Sequence, residues 1–140
     1  MHMIPRGIRN HNPGNIDYSP VNDWQGQLAH VPVIERRFCR FNEAENGLRA
    51  LGKLLQTYQR KHGCDTLRKI LNRWAPPAEN DTDAYVRQVA KALAVDPDAP
   101  LDTTQAVVLR PLLVAIVLHE NGVQPYSAAQ LDEGVRRALA

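Results

Sequence analysis

Residues 112–122 read LLVAIVLHENG, and this stretch decides the fold. Leu112 to Leu118 is apolar nearly all round, which predicts a helix buried at the centre of a domain. That helix is expected to start at Thr103 or Thr104, to kink at Pro111 and to run to Glu120, with Gly122 ending it. The run is too short to span a bilayer. It also delivers an acid to an unfavourable place. The last turn of a helix carries partial negative charge and disfavours a carboxylate by a few tenths to about 1 kcal/mol. Burial beside an apolar helix disfavours the charged form as well. Both effects raise a carboxyl pKa, the tuning that a proton donor needs near neutral pH. The plainer alternative is a solvated glutamate at a frayed helix end. A zinc reading of His119-Glu120 fails, because the second histidine it needs at position 123 is Val123.

The rest of the chain supplies helices for that one to pack against. Asn42 can cap a helix with Glu45 at the third position, and Leu48, Leu51, Leu54, Leu55 and Tyr58 follow at helical spacing until Gly63. A second helix is expected over Thr66–Trp74, stopped by Ala75-Pro76-Pro77. A third starts at Asn80 or Asp81, with Tyr85, Val86, Val89 and Leu93 on one face. Ser127 and Gln130 open a final helix through Leu139. The N-terminal part differs. Asn10, Asn12, Asn15 and Asn22 with Pro13 and Pro20 are turn chemistry, and residues 24–41 hold short β-friendly stretches that suggest a small hairpin. The expectation is one mainly α (α+β) domain over 1–140, with a loop and β region at 1–41 and helices at 42–140.

Composition narrows the function. At 140 residues with 44% apolar and 23% charged side chains, the chain suits a single globular domain. A net charge of +2 gives no dense basic face for nucleic acid, though it tolerates an anionic polymer such as bacterial cell wall. Cys39 and Cys64 show neither a disulfide framework nor metal-ligand spacing, so neither a metal nor a cofactor is expected. The N-terminus carries no apolar leader, which implies synthesis in the bacterial cytoplasm and delivery to the wall by another agent.

Several blocks resemble phage and prophage lysozyme-like virion or lysis proteins: RGIRNHNPGNI (6–16), WQGQ (24–27), FCRFNEAENGLRAL (38–51), TYQRKHG (57–63) and NRWAPPAENDTDAYV (72–86). The pairing of NPGNI with WAPPxENDT is the specific feature. The blocks are also similar, in another order, to glucosaminidases of flagellar and autolysin type. In those enzymes the helix ending in the catalytic glutamate comes first, whereas HENG comes last here. The resemblance therefore implies a circularly permuted lysozyme-superfamily domain. HENGVQPYS (119–127) further resembles the Glu-Ser-x-x-x-Pro stretch of lytic transglycosylases, with Asn121 in place of serine and the Gly-Leu-Met-Gln motif absent.

The resemblance implies cleavage of the β-1,4 bond between N-acetylmuramic acid and N-acetylglucosamine in peptidoglycan glycan strands, with Glu120 as catalytic acid. A hydrolase would need a second carboxylate, for which Asp17, Glu35 and Glu79 are candidates, whereas a lytic transglycosylase needs none. Trp24, Tyr85, Tyr126 and Trp74 are candidates to stack on sugars, with core packing the commoner job for such rings. Asn12 and Asn15 could bind N-acetyl groups or simply hold the turn. Three rivals stand beside this reading: a murein endopeptidase, a non-catalytic wall-binding or assembly component working with other virion proteins, and, weakly, a nucleic-acid binder.

Overall fold

The computed structural model describes residues 3–140; Met1 and His2, the start of the stretch read for a leader, lie outside the described residues. Its helices are α1 (Arg6–Arg9), α2 (Ala44–His62), α3 (Leu67–Trp74), α4 (Thr82–Leu93), α5 (Ala106–Asn121) and α6 (Ala128–Leu139). Helix α2 organises the packing. Leu48, Leu51 and Leu55 enter the main core with Ile70, Val86, Leu112 and Ile116, while Ala50 and Leu54 face a second cluster of Ile16, Cys39 and Phe41. Its closest partner is α6. Glycine makes that approach possible, because a Cβ on Gly52 would stand 2.6 Å from Ala138 Cβ and one on Gly134 2.5 Å from Leu48 Cβ.

Several local expectations hold. Gly63 and Gly122 close α2 and α5 in the left-handed conformation. Thr66 and Asp81 cap α3 and α4, and Ser127 with Gln130 forms a reciprocal capping box on α6. The box expected at Asn42 does not form. Asn42 Oδ1 instead accepts from the Asn46 side chain, and Glu43 takes the cap position with its carboxylate turned to Arg137 and no side-chain bond to the helix amides.

Two larger expectations need correction. Helix α5 is not buried all round: Leu109, Leu112, Leu113, Ile116 and Val117 face the core, but Val107 is 78% and Leu118 51% exposed. Apolar composition on every face does not say how many faces the rest of a small domain can cover. The N-terminal β-hairpin is also missing, replaced by the isolated bridges Asp17–Phe38 and Gln27–Phe41. Side chains have taken the groups a ladder would use. Asn12 donates to the Ile16 and Cys39 carbonyls, and Glu35 accepts from the Arg37 and Phe38 amides. No backbone register then continues long enough to make a strand.

Candidate active site

Glu120 stands in the last turn of α5, in the wall of a cleft of about 1000 Å³. The other walls come from the asparagine loop at Gly14–Asp17, from Trp24 and Phe38, from Leu54 and Tyr58 on α2, from Arg73 and Trp74 on α3, and from Glu79–Asn80 ahead of α4. Elements distant in sequence thus converge around Glu120. Asn121 fixes its backbone, donating from Nδ2 to Val117 O (2.9 Å) one turn back and to Pro13 O (2.8 Å) in the asparagine loop. Gly7 lies against the same side chain. A Cβ there would be 2.5 Å from Asn121 Oδ1, 2.8 Å from Asn12 O and 2.9 Å from Asn15 Oδ1.

The half-buried Glu120 carboxyl is pushed above its ordinary pKa, with burial the dominant cause. The Tyr85 hydroxyl, beside it, partly offsets that shift. Tyr85 is itself 2% exposed, stacks on His119 (3.5 Å between ring centres) and places its hydroxyl near both Glu120 and the Trp74 indole. The hydroxyl approaches without the alignment of a full hydrogen bond. Burial beside a carboxylate pushes the phenol pKa upward, so Tyr85 stays a neutral hydroxyl, able to donate towards Glu120 and to accept from the Trp74 indole. The Nδ1 of His119 meets Gln88 Oε1 at 3.2 Å, which steadies the stacked pair.

The expected ligand-contacting residues divide. Asn15 and Trp24 line the cleft, as does Trp74. Asn12 does not: it is fully buried, and its amide is spent on Ile16 N, Ile16 O and Cys39 O, all at 3.0 Å. It holds the loop that presents Asn15. Tyr85 backs Glu120 from behind and does not line the groove. Tyr126 packs at the edge of the main core on the α5–α6 connection, where burial pushes its phenol up to about 12. Sequence spacing assigned both tyrosines correctly to a helix or its flank but carried no sign of which way the rings face.

The candidate second acids divide as well. Glu35 lies in a separate buried network, 3% exposed, with Oε1 and Oε2 each 2.6 Å from the Arg6 guanidinium and further bonds from Asn10, Arg37 N and Phe38 N. Those donors hold its pKa far below the usual carboxylate range, the Arg6 bond contributing most. It is a structural anion and is not among the cleft-lining residues. Asp17 and Glu79 do line the cleft, both exposed, and Asp17 is bonded to Arg37 Nε at 2.7 Å. Sequence reasoning overlooked Tyr58 and Arg73 as cleft residues. The helical spacing of Tyr58 matched the core-facing leucines, and nothing distinguished Arg73 from other surface arginines.

Among the described residues the chain is a small helical domain with a half-buried carboxyl, its pKa raised by burial, in the wall of a cleft lined by polar and aromatic side chains, and no helix is long and apolar enough to cross a membrane. No family model matches the sequence. The chain is 33% identical over 130 residues to Protein P5 of Pseudoalteromonas phage PM2, a match covering 92% of this chain and 79% of the phage protein. It belongs to the family of that phage protein.

Proposed function

We propose that this protein is a peptidoglycan-cleaving glycosidase of lysozyme-like type, acting on the β-1,4 bond between N-acetylmuramic acid and N-acetylglucosamine. The observation that carries the reading is the half-buried Glu120, its pKa raised by burial, at the wall of a cleft lined with Trp24, Trp74 and Tyr58. A carboxyl whose pKa is raised keeps its proton to higher pH than an ordinary glutamate, which suits it to donate that proton to a glycosidic oxygen. Aromatic faces and polar asparagines suit a sugar chain, with its apolar ring faces and hydrogen-bonding rim. The closeness of Glu120 to Asn15 and Tyr85 fits the permuted lysozyme-superfamily arrangement that the motif order implies.

In the reaction the Glu120 proton passes to the leaving oxygen while the bond from muramic acid C1 to that oxygen breaks. The structure favours the transglycosylase course for the second half. Glu35 is locked in its own ion-pair network, Asp17 is paired with Arg37, and Glu79 is exposed. The muramic acid C6 hydroxyl then attacks C1, and its proton returns to the Glu120 carboxylate. The product is a 1,6-anhydro sugar, with no water consumed.

A phage relative also suits association with a virion that carries the enzyme to the cell wall. A purely structural virion role is the second reading, favoured by the exposed apolar side of α5 at Val107 and Leu118. Mass spectrometry of purified murein incubated with the protein separates these. Anhydro-muropeptides are expected. Reducing-end muropeptides would turn the assignment to a hydrolase, and intact murein would overturn the glycosidase reading.

A further inference from the structure

The cleft holds two guanidinium groups, and their surroundings differ. Arg37 donates from Nε to Asp17 Oδ1 at 2.7 Å, with its guanidinium carbon 4.9 Å from the centre of the Phe38 ring. Its charge is already answered by a carboxylate. Arg73, near the end of α3, has its guanidinium carbon 5.3 Å above the Tyr58 ring. It is exposed and, among the described residues, meets no carboxylate within 4.0 Å, which sets it apart from Arg37, the other arginine lining the cleft. Stacking on an aromatic face restrains the plane of a guanidinium while leaving its N–H edge free. That edge is shaped for two parallel bonds to a carboxylate.

We propose that Arg73 binds a carboxylate carried by the glycan strand and makes the cleft selective for an acidic, peptide-bearing polymer over its neutral counterpart. The inference rests on the glycosidase reading above. Murein differs from a plain N-acetylglucosamine polymer in bearing lactyl groups extended by peptides with free carboxyls. A cleft with one pre-oriented, unpaired cation distinguishes the two. Of the other acids lining the cleft, Asp17 is spent on Arg37, Glu79 is exposed and acts on Arg37 as well, and neither they nor Glu120 comes within ion-pair distance of Arg73. Arg73 acts on binding, so its effect belongs in KM more than in kcat.

The test compares solubilised murein strands with the same strands after their carboxyls have been amidated, using the wild type, Arg73→Gln and Arg73→Lys. The wild type is expected to prefer native strands by about tenfold in kcat/KM, which corresponds to about 1.4 kcal/mol. Arg73→Gln should bring that ratio close to one through KM, with kcat and melting temperature little changed, and Arg73→Lys should restore part of it. The wild-type preference should also shrink as salt rises. A ratio in Arg73→Gln equal to that of the wild type overturns the Arg73 assignment alone. A wild type that cuts neither polymer overturns the glycosidase reading and this inference together.

Discussion

Replacing Gly7 with alanine tests whether the end of α5 is held by close contact with the N-terminal loop. The new Cβ would stand 2.5 Å from Asn121 Oδ1, 2.8 Å from the Asn12 carbonyl and 2.9 Å from Asn15 Oδ1. The Asn12 carbonyl is backbone and already accepts from Asn15 N, so it cannot rotate away. Asn121 cannot move freely either, because its Nδ2 is bonded to Pro13 O and Val117 O. Overpacking of this kind costs about 1–3 kcal/mol. Alanine returns up to about 1 kcal/mol through helix propensity in α1, leaving a net loss of about 1–2 kcal/mol. For a domain of this size that lowers the melting temperature by roughly 4–8 °C. Urea denaturation of Gly7→Ala, Asn121→Ala and the double variant would measure it. Asn121→Ala alone should cost about 1–2 kcal/mol by leaving Pro13 O without its donor. The double variant should lose less than the sum, because the 2.5 Å contact is gone. A Gly7→Ala protein as stable as the parent, or strictly additive losses, would refute the packing argument.

Three further outcomes follow from the same geometry. Glu35→Gln should destabilise the domain by about 1–3 kcal/mol, since it weakens the charge-assisted bonds that the Arg6 side chain and the Arg37 and Phe38 amides make to the buried carboxylate. Because the folded pKa of Glu35 is depressed, its contribution is present above the unfolded value and is lost as pH falls below about 4. Parent and variant melting curves should therefore converge in acid, and curves that stay parallel would contradict the network. Tyr85→Phe removes the group that partly restrains the Glu120 pKa, so the alkaline limb of the activity profile should move to higher pH while stability changes by less than about 1 kcal/mol. An unmoved limb would show that the hydroxyl does not reach the carboxyl. Glu120 itself has a raised folded pKa, so its contribution is present below the unfolded value and disappears as pH rises through the folded one. Glu120→Gln should then stabilise the protein more at pH 8 than at pH 4, and an equal difference in melting temperature at the two would mark an ordinary exposed carboxylate.

The helices from residue 42 onward were legible because each has its own punctuation. Gly63 and Gly122 stop two of them, and Thr66, Asp81 and Ser127 start three. These are local signals, acting within a turn of the residue that carries them. The candidate acid was legible for the same reason, since an apolar helix ending in HENG declares its burden without any tertiary information. What lay beyond reach was orientation across long sequence distances. Glu35 looked like a loop acid, and only the arrival of Arg6 and Asn10 makes it a buried anchor. Residues 24–41 looked like strands, yet Glu35 and Asn12 consume the backbone groups that strands would pair. Asn12 and Asn15 sit three residues apart in one asparagine-rich loop, and one is sealed in while the other faces the cleft. The short α1 was not anticipated either, since it carries no side-chain cap at its start.

The central claim is that the Glu120 carboxyl cuts the glycan, and substitution by its isosteric amide tests that most directly. Glu120→Gln keeps the shape of the side chain in the cleft wall but cannot give up a proton to a glycosidic oxygen. Purified murein should be digested by the parent and left intact by Glu120→Gln, with melting at pH 7 no lower than that of the parent. Cleavage by Glu120→Gln within a few-fold of the parent rate would contradict the account.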